Sequence, residues 1–193
     1  MQHSAPSDED VSDLEAAELA VVDKAARQRR HPVMRWAGAL SEIADQPPLF
    51  AICGATLLAG LWRRDPRLAR TGFQMLLAET LATLAKGAIK DAVNRTRPNV
   101  ALEEGRYEMR PGKSRDGRDR SFPSGHTAGA VSVAMVVAGN YPAAAVPAYG
   151  LATAASLVQV PRGKHYPSDL LAGLLIGVAA GAAARCASRL LRR

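Results

Sequence analysis

Two histidines, one aspartate and a pair of cations sit at spacings that suit chemistry on an anion. His165 and Asp169 in "HYPSD" are four residues apart, a separation that can set a carboxylate against one imidazole nitrogen and orient the ring. Lys90 and Arg97 in "KDAVNRTRP" are seven apart, which places both on one helix face, with Pro98 disfavouring continuation beyond. Two cations on one face suit a phosphate group; the competing reading is snorkelling towards lipid headgroups. "PSGH", Pro123 to His126, stands where a polar stretch turns apolar. Ser124 and Gly125 there read as a helix start, where unpaired N–H groups and the helix dipole also favour an anion. Singly, each has a plainer reading: Asp169 as a helix cap, His126 as a structural histidine. Together they fit phosphoryl transfer, which needs mainly positioning and positive charge around the equatorial oxygens.

Five apolar runs must bring these clusters together. They are Pro47–Trp62, Arg70–Val93, Thr127–Tyr141, Ala143–Val160 and Asp169–Ala187, with Pro142, Pro161 and Pro167 marking boundaries. The first spans roughly 24 Å as a helix, slightly short of the ~30 Å hydrocarbon core of a bilayer. Gly173, Gly177 and Gly181 recur every fourth residue, a small-residue face that lets helices approach closely in lipid. If the runs cross in alternation, "KDAVNRTRP", "PSGH" and "HYPSD" meet at one membrane face. The expected fold is all-α, a polytopic membrane helical bundle with about five transmembrane helices. A soluble bundle is the alternative, but it needs polar faces that these runs mostly lack. Residues 1–46 are expected to form a polar N-terminal region with amphipathic or interfacial helices, and 47–193 a membrane-embedded domain. Within the first part, Val11 to Arg30 reads as an exposed amphipathic helix on a membrane surface or in solvent, and residues 31–46 as an interfacial or re-entrant segment.

The mean hydropathy of −0.07 averages apolar runs with heavily charged stretches at 1–31 and 94–122. The +7 net charge suits an anionic substrate or membrane-proximal loops. Nucleic acid is disfavoured, because few aromatics interleave with the basic residues. Cys53 and Cys186 are expected to pack rather than pair, and no residues show metal-ligand spacing along the chain. The polar stretch Met1 to Asp10 does not read as a signal peptide. Arg63, Arg64, Arg67 and Arg70 fall on one side with Arg185, Arg189, Arg192 and Arg193. The positive-inside rule makes that side cytoplasmic and the clustered site extracytoplasmic, in a bacterial inner membrane; "RQRRH" at 27–31 then breaks the rule unless residues 31–46 also cross.

The three clusters resemble the signature motifs of the type-2 phosphatidic-acid phosphatase family, which shares its fold with bacterial acid phosphatases and vanadium haloperoxidases. Lys90, Arg97 and Pro98 match Lys-x6-Arg-Pro; Pro123 to His126 match Pro-Ser-Gly-His; His165 and Asp169 match the end of Ser-Arg-x5-His-x3-Asp. The resemblance spans roughly residues 48–187 and implies metal-independent hydrolysis of a phosphate ester without a cofactor. His165 would attack phosphorus, Asp169 would hold its imidazole, and His126 would protonate the leaving group and then activate water. Lys90, Arg97, Ser124 and the Gly125 N–H would hold the phosphoryl oxygens.

One departure stands out. Val158 and Gln159 occupy the positions where the motif has Ser-Arg, so a phosphate-binding arginine is missing. Arg162 is the expected replacement, with Lys164 second. The reading that follows is an integral membrane lipid phosphatase acting on a polyprenyl pyrophosphate or a phospholipid headgroup, its partners being that lipid and the bilayer. The alternatives are a soluble acid phosphatase or haloperoxidase-like enzyme, and a catalytically weakened membrane protein that binds phospholipid.

Overall fold

Prolines and capping side chains set where the helices begin. In the computed structural model, which describes residues 12–190 (without the side chain of Arg189), the five apolar runs become five helices, and a short helix is inserted in the charged connection. Two helices precede them: α1 (Asp13–Ala26), closed by a Ser12–Glu15 capping box, and α2 (Pro32–Ser41), followed by a 3₁₀ turn at Glu42–Ala44. Then come α3 (Gln46–Trp62) and α4 (Pro66–Lys90), the latter capped by Asp65, which accepts from the N–H groups of Arg67 and Leu68. The charged connection holds β1 (Val93–Arg95), α5 (Pro98–Glu104) and β2 (Met109–Pro111). The chain closes with α6 (Gly125–Asn140), α7 (Ala145–Leu157) and α8 (Pro167–Leu190).

α6 is the central helix, apolar on all sides and packed against α4, α7 and α8, while α3 packs on α4. Its contact with α8 depends on the glycine repeat. A Cβ at Gly173 would lie 2.6 Å from the Ser124 carbonyl oxygen, and one at Gly177 would lie 2.7 Å from that of Ala128. Only glycine admits backbone at that range. Large apolar side chains turn outward instead: Leu58, Leu84, Leu151, Leu171 and Leu175 are all exposed. This is the pattern of a bundle solvated by lipid, since large apolar patches are uncommon on water-facing surfaces. Residues Pro167–Ser188 are long and apolar enough to cross a bilayer by themselves, whereas α3 is a shorter apolar helix. α4 carries Glu79, Lys86 and Lys90, all of them buried or half-buried.

Four features of the structure bear on the sequence reading. Residues 13–26 are not free on a surface: Val22 is buried with Ala101, Tyr107 and Tyr166. Residues 31–46 do not cross, because α2 has only 10 residues, about 15 Å of helix. "RQRRH" therefore stays at the end of the bundle that holds the motifs, where Arg29 pairs with Glu103. The charged connection is ordered: β1 and β2 pair antiparallel, Val93 opposite Pro111 and Arg95 opposite Met109. Finally, Arg97 does not share a helix face with Lys90, since α4 stops at Lys90 and β1 intervenes; Arg97 is the N-cap of α5. Cys53 and Cys186 are unpaired. Met1 to Asp10, Val11, Arg192 and Arg193 lie outside the described residues.

Candidate active site

Three helix ends and two turns enclose a cavity of about 450 Å³. The last two turns of α4 supply Lys86 and Lys90, and the start of α6 supplies Gly125 and His126. Arg97 comes from the start of α5, and Lys164 and His165 from the turn before α8. Asp45 and Arg120 complete the rim. Lys90 Nζ donates to the Arg120 carbonyl at 2.5 Å, which anchors it at the wall. Lys86 folds over the first turn of α6, so close that a Cβ at Gly125 would lie 2.9 Å from its Nζ.

His165 is 3% exposed, and its Nδ1 lies 3.5 Å from Asp169 Oδ2, with no other partner among the described residues. That is an ion-pair distance, longer than a hydrogen bond. Burial pushes the His165 imidazole below its ordinary range; Asp169 opposes this, and the charges of Lys90 and Arg97 add to it. Asp169 is completely buried and heavily satisfied. Its Oδ1 accepts from Arg95 Nη1 at 2.7 Å, and its Oδ2 accepts from the Tyr166 N–H at 2.8 Å and from the Ser121 hydroxyl. The Asp169 main-chain oxygen also accepts from the Ser124 N–H at 3.0 Å, tying α8 to the start of α6.

His126 lines the cavity, its buried Nε2 without a hydrogen-bond partner among the described residues and 3.9 Å from Glu42 Oε2. Burial works against the Glu42 charge, but hydrogen bonds from Lys164 and Arg162 outweigh it and hold the carboxyl down to about 2. Glu42, Asp45 and His126 place one ligand atom each within 4.8 Å of one another. The sequence showed no such spacing, because residues 42, 45 and 126 meet only in the fold.

The expected residues do not all line the cavity. Lys90, Arg97, Gly125, His126 and His165 do, with Asp169 behind His165. Ser124 is buried as the α6 cap, its Oγ accepting from the Thr127 N–H and hydroxyl. Arg162 points away, donating to Gly38 O and Ser41 Oγ and pairing with Glu42. Lys164, the second choice, is on the wall. Gln159 is fully buried and donates to Ser41 Oγ at 3.1 Å and Ala155 O at 3.0 Å. Two residues were missed: Lys86, one turn before Lys90 on the same face, and Arg95, which "NRTRP" displays but which reads as one more loop charge.

Residues 71–193 match the model of the PAP2 superfamily. The chain belongs to that family. This PAP2 fold is also seen in two solved structures. LpxE of Aquifex aeolicus aligns at a TM-score of 0.68 and 22% identity, over 90% of this chain and 98% of that one. A transmembrane PAP2-type phosphatidylglycerolphosphate phosphatase of Bacillus subtilis aligns at 0.61 and 20%, over 93% of this chain and 88% of that one. No curated protein sequence matches. The matched PAP2 segment contains all three motifs and leaves α1, α2 and α3 outside it.

Proposed function

We propose that this PAP2 protein is an integral membrane lipid phosphatase, hydrolysing a polyprenyl pyrophosphate or a phospholipid phosphate through a phosphohistidine. The observation that carries this reading is His165, backed by Asp169, in a cavity walled by Lys86, Lys90, Arg97 and Lys164 at the start of α6. With Nδ1 turned to Asp169, Nε2 of His165 attacks phosphorus as the P–O bond to the leaving group breaks. His126 gives that oxygen its proton. In the second step His126 takes a proton from water, the hydroxide oxygen bonds to phosphorus, and the P–N bond to His165 breaks. The four cations and the first N–H groups of α6 hold the equatorial oxygens, where charge is greatest in the transition state.

No step requires a metal or a cofactor. Phosphorus release from a panel of lipid phosphates in detergent, with EDTA present, tests the reading on wild type and His165→Ala. Hydrolysis by wild type that His165→Ala abolishes is expected. Activity that appears only with added divalent metal would overturn the mechanism. The Arg63–Arg70 cluster sits at the opposite end of the bundle from the cavity, which supports an extracytoplasmic site in an inner membrane. A cysteine placed at Ser114 should then react with an impermeant thiol reagent in intact cells.

A further inference from the structure

We infer that Glu18 of α1 is a positioning residue for the His165–Asp169 pair, acting through Arg95. The inference rests on the function proposed above and adds a residue that lies outside the segment matched to the family.

The geometry is a buried chain of charges. Glu18 Oε2 accepts from Arg95 Nη2 at 2.8 Å, and Arg95 Nη1 reaches Asp169 Oδ1 at 2.7 Å, with Arg95 2% and Asp169 0% exposed. Glu18 also holds the first turn of α8. Its Oε1 accepts from the Ser168 N–H at 2.6 Å, and its Oε2 from the Ser168 hydroxyl at 2.8 Å. A carboxylate from an N-terminal helix thereby satisfies a free N–H of the helix that carries Asp169. The Arg95 guanidinium is fixed on its remaining sides by the Tyr166 ring, 4.1 Å below it, and by the Tyr107 hydroxyl, 3.3 Å from Nε.

The charge count explains what the carboxylate does. Arg95 alone would neutralise Asp169 and weaken its hold on an imidazole that turns positive as it attacks phosphorus. With Glu18 sharing Arg95, the three side chains keep one net negative charge behind His165. Other charged or titratable groups facing this cluster are Lys90 of α4, Arg97 at the start of α5, and His126 of α6. Lys164 and Tyr166 flank His165, Tyr107 lies before β2, and Glu15 lies on α1 beside Tyr107. The cations among them oppose a positive imidazole, so the surplus carboxylate is what offsets them.

Glu18→Gln keeps the shape and one of the two acceptor oxygens while removing the charge. It should lower kcat about tenfold with KM within about twofold, and shift the His165 titration, read by NMR on ¹⁵N-histidine protein, down by roughly one pH unit. Glu18→Asp, which keeps the charge on a shorter arm, should recover part of both effects. Glu103→Gln breaks only the exposed Arg29 pair at the same docking surface and should change neither. Wild-type kcat and His165 titration in Glu18→Gln would overturn the inference, as would a lowered Tm with both unchanged. A wild type that hydrolyses no phosphate would refute the proposed function, while the titration would still decide the role of Glu18.

Discussion

Gln159 and Arg162 share one acceptor: Ser41 Oγ receives Gln159 Nε2 at 3.1 Å and Arg162 Nη1 at 2.9 Å. The two residues nearest the missing motif arginine thus fasten α2 to the end of α7, and neither lines the cavity. Lys164 is the cation on that wall, held by Glu42 at 3.0 Å. A charge-assisted hydrogen bond is worth about 1.5–3 kcal/mol, so Lys164→Ala should lower kcat/KM by roughly one to two orders of magnitude. Arg162→Ala should cost distinctly less. Steady-state kinetics on one lipid phosphate compares them, and the reverse order would place Arg162 at the substrate.

Gly125 is the position where the cradle tolerates no side chain. The atom that a Cβ would meet is the end of a flexible lysine, so Gly125→Ala should displace Lys86 rather than unfold α6. The expected result is a loss in kcat/KM close to that of Lys86→Met, with Tm nearly unchanged. Equal activity to wild type would mean that Lys86 does not touch the substrate.

At Gly177 the neighbour is backbone instead. Gly177→Leu must push α8 away from α6, and overpacking of this kind costs about 1–3 kcal/mol. Thermal unfolding in detergent should show a lower Tm than for a substitution at outward-facing Leu175. An unchanged Tm would mean that the helices do not meet as closely as described.

The buried His165 has a pH signature. Unfolded, its imidazole takes a proton near pH 6.5; folded, it does so only at lower pH. Below pH 6.5 the unfolded chain therefore binds more protons, and stability falls as pH falls. His165→Gln should flatten that part of the Tm profile between pH 6.5 and 5. The acid limb of kcat/KM should likewise lie below 6.5, because the attacking imidazole stays neutral there.

The helices were legible because each announces itself locally. Apolar runs bounded by Pro142, Pro161 and Pro167 admit few other readings, and the Gly173–Gly177–Gly181 repeat marks the face of α8 that meets α6. The placement of His126, His165 and Asp169 was legible for the same reason, as short motifs at helix starts. Which residue types stand at which helix ends can therefore be read from local sequence. The partners of those residues were decided by tertiary structure alone. Lys90 and Arg97 look like one helix face, yet a strand separates them and the cavity brings them back together. Arg162 looks free to fold towards His165, but Ser41 and Glu42, more than a hundred residues earlier, hold it elsewhere. Glu18 carries no local signal, since a carboxylate on an amphipathic helix reads as solvated. Only docking of α1 buries it against Arg95, where a charge out of water must find its counter-charge.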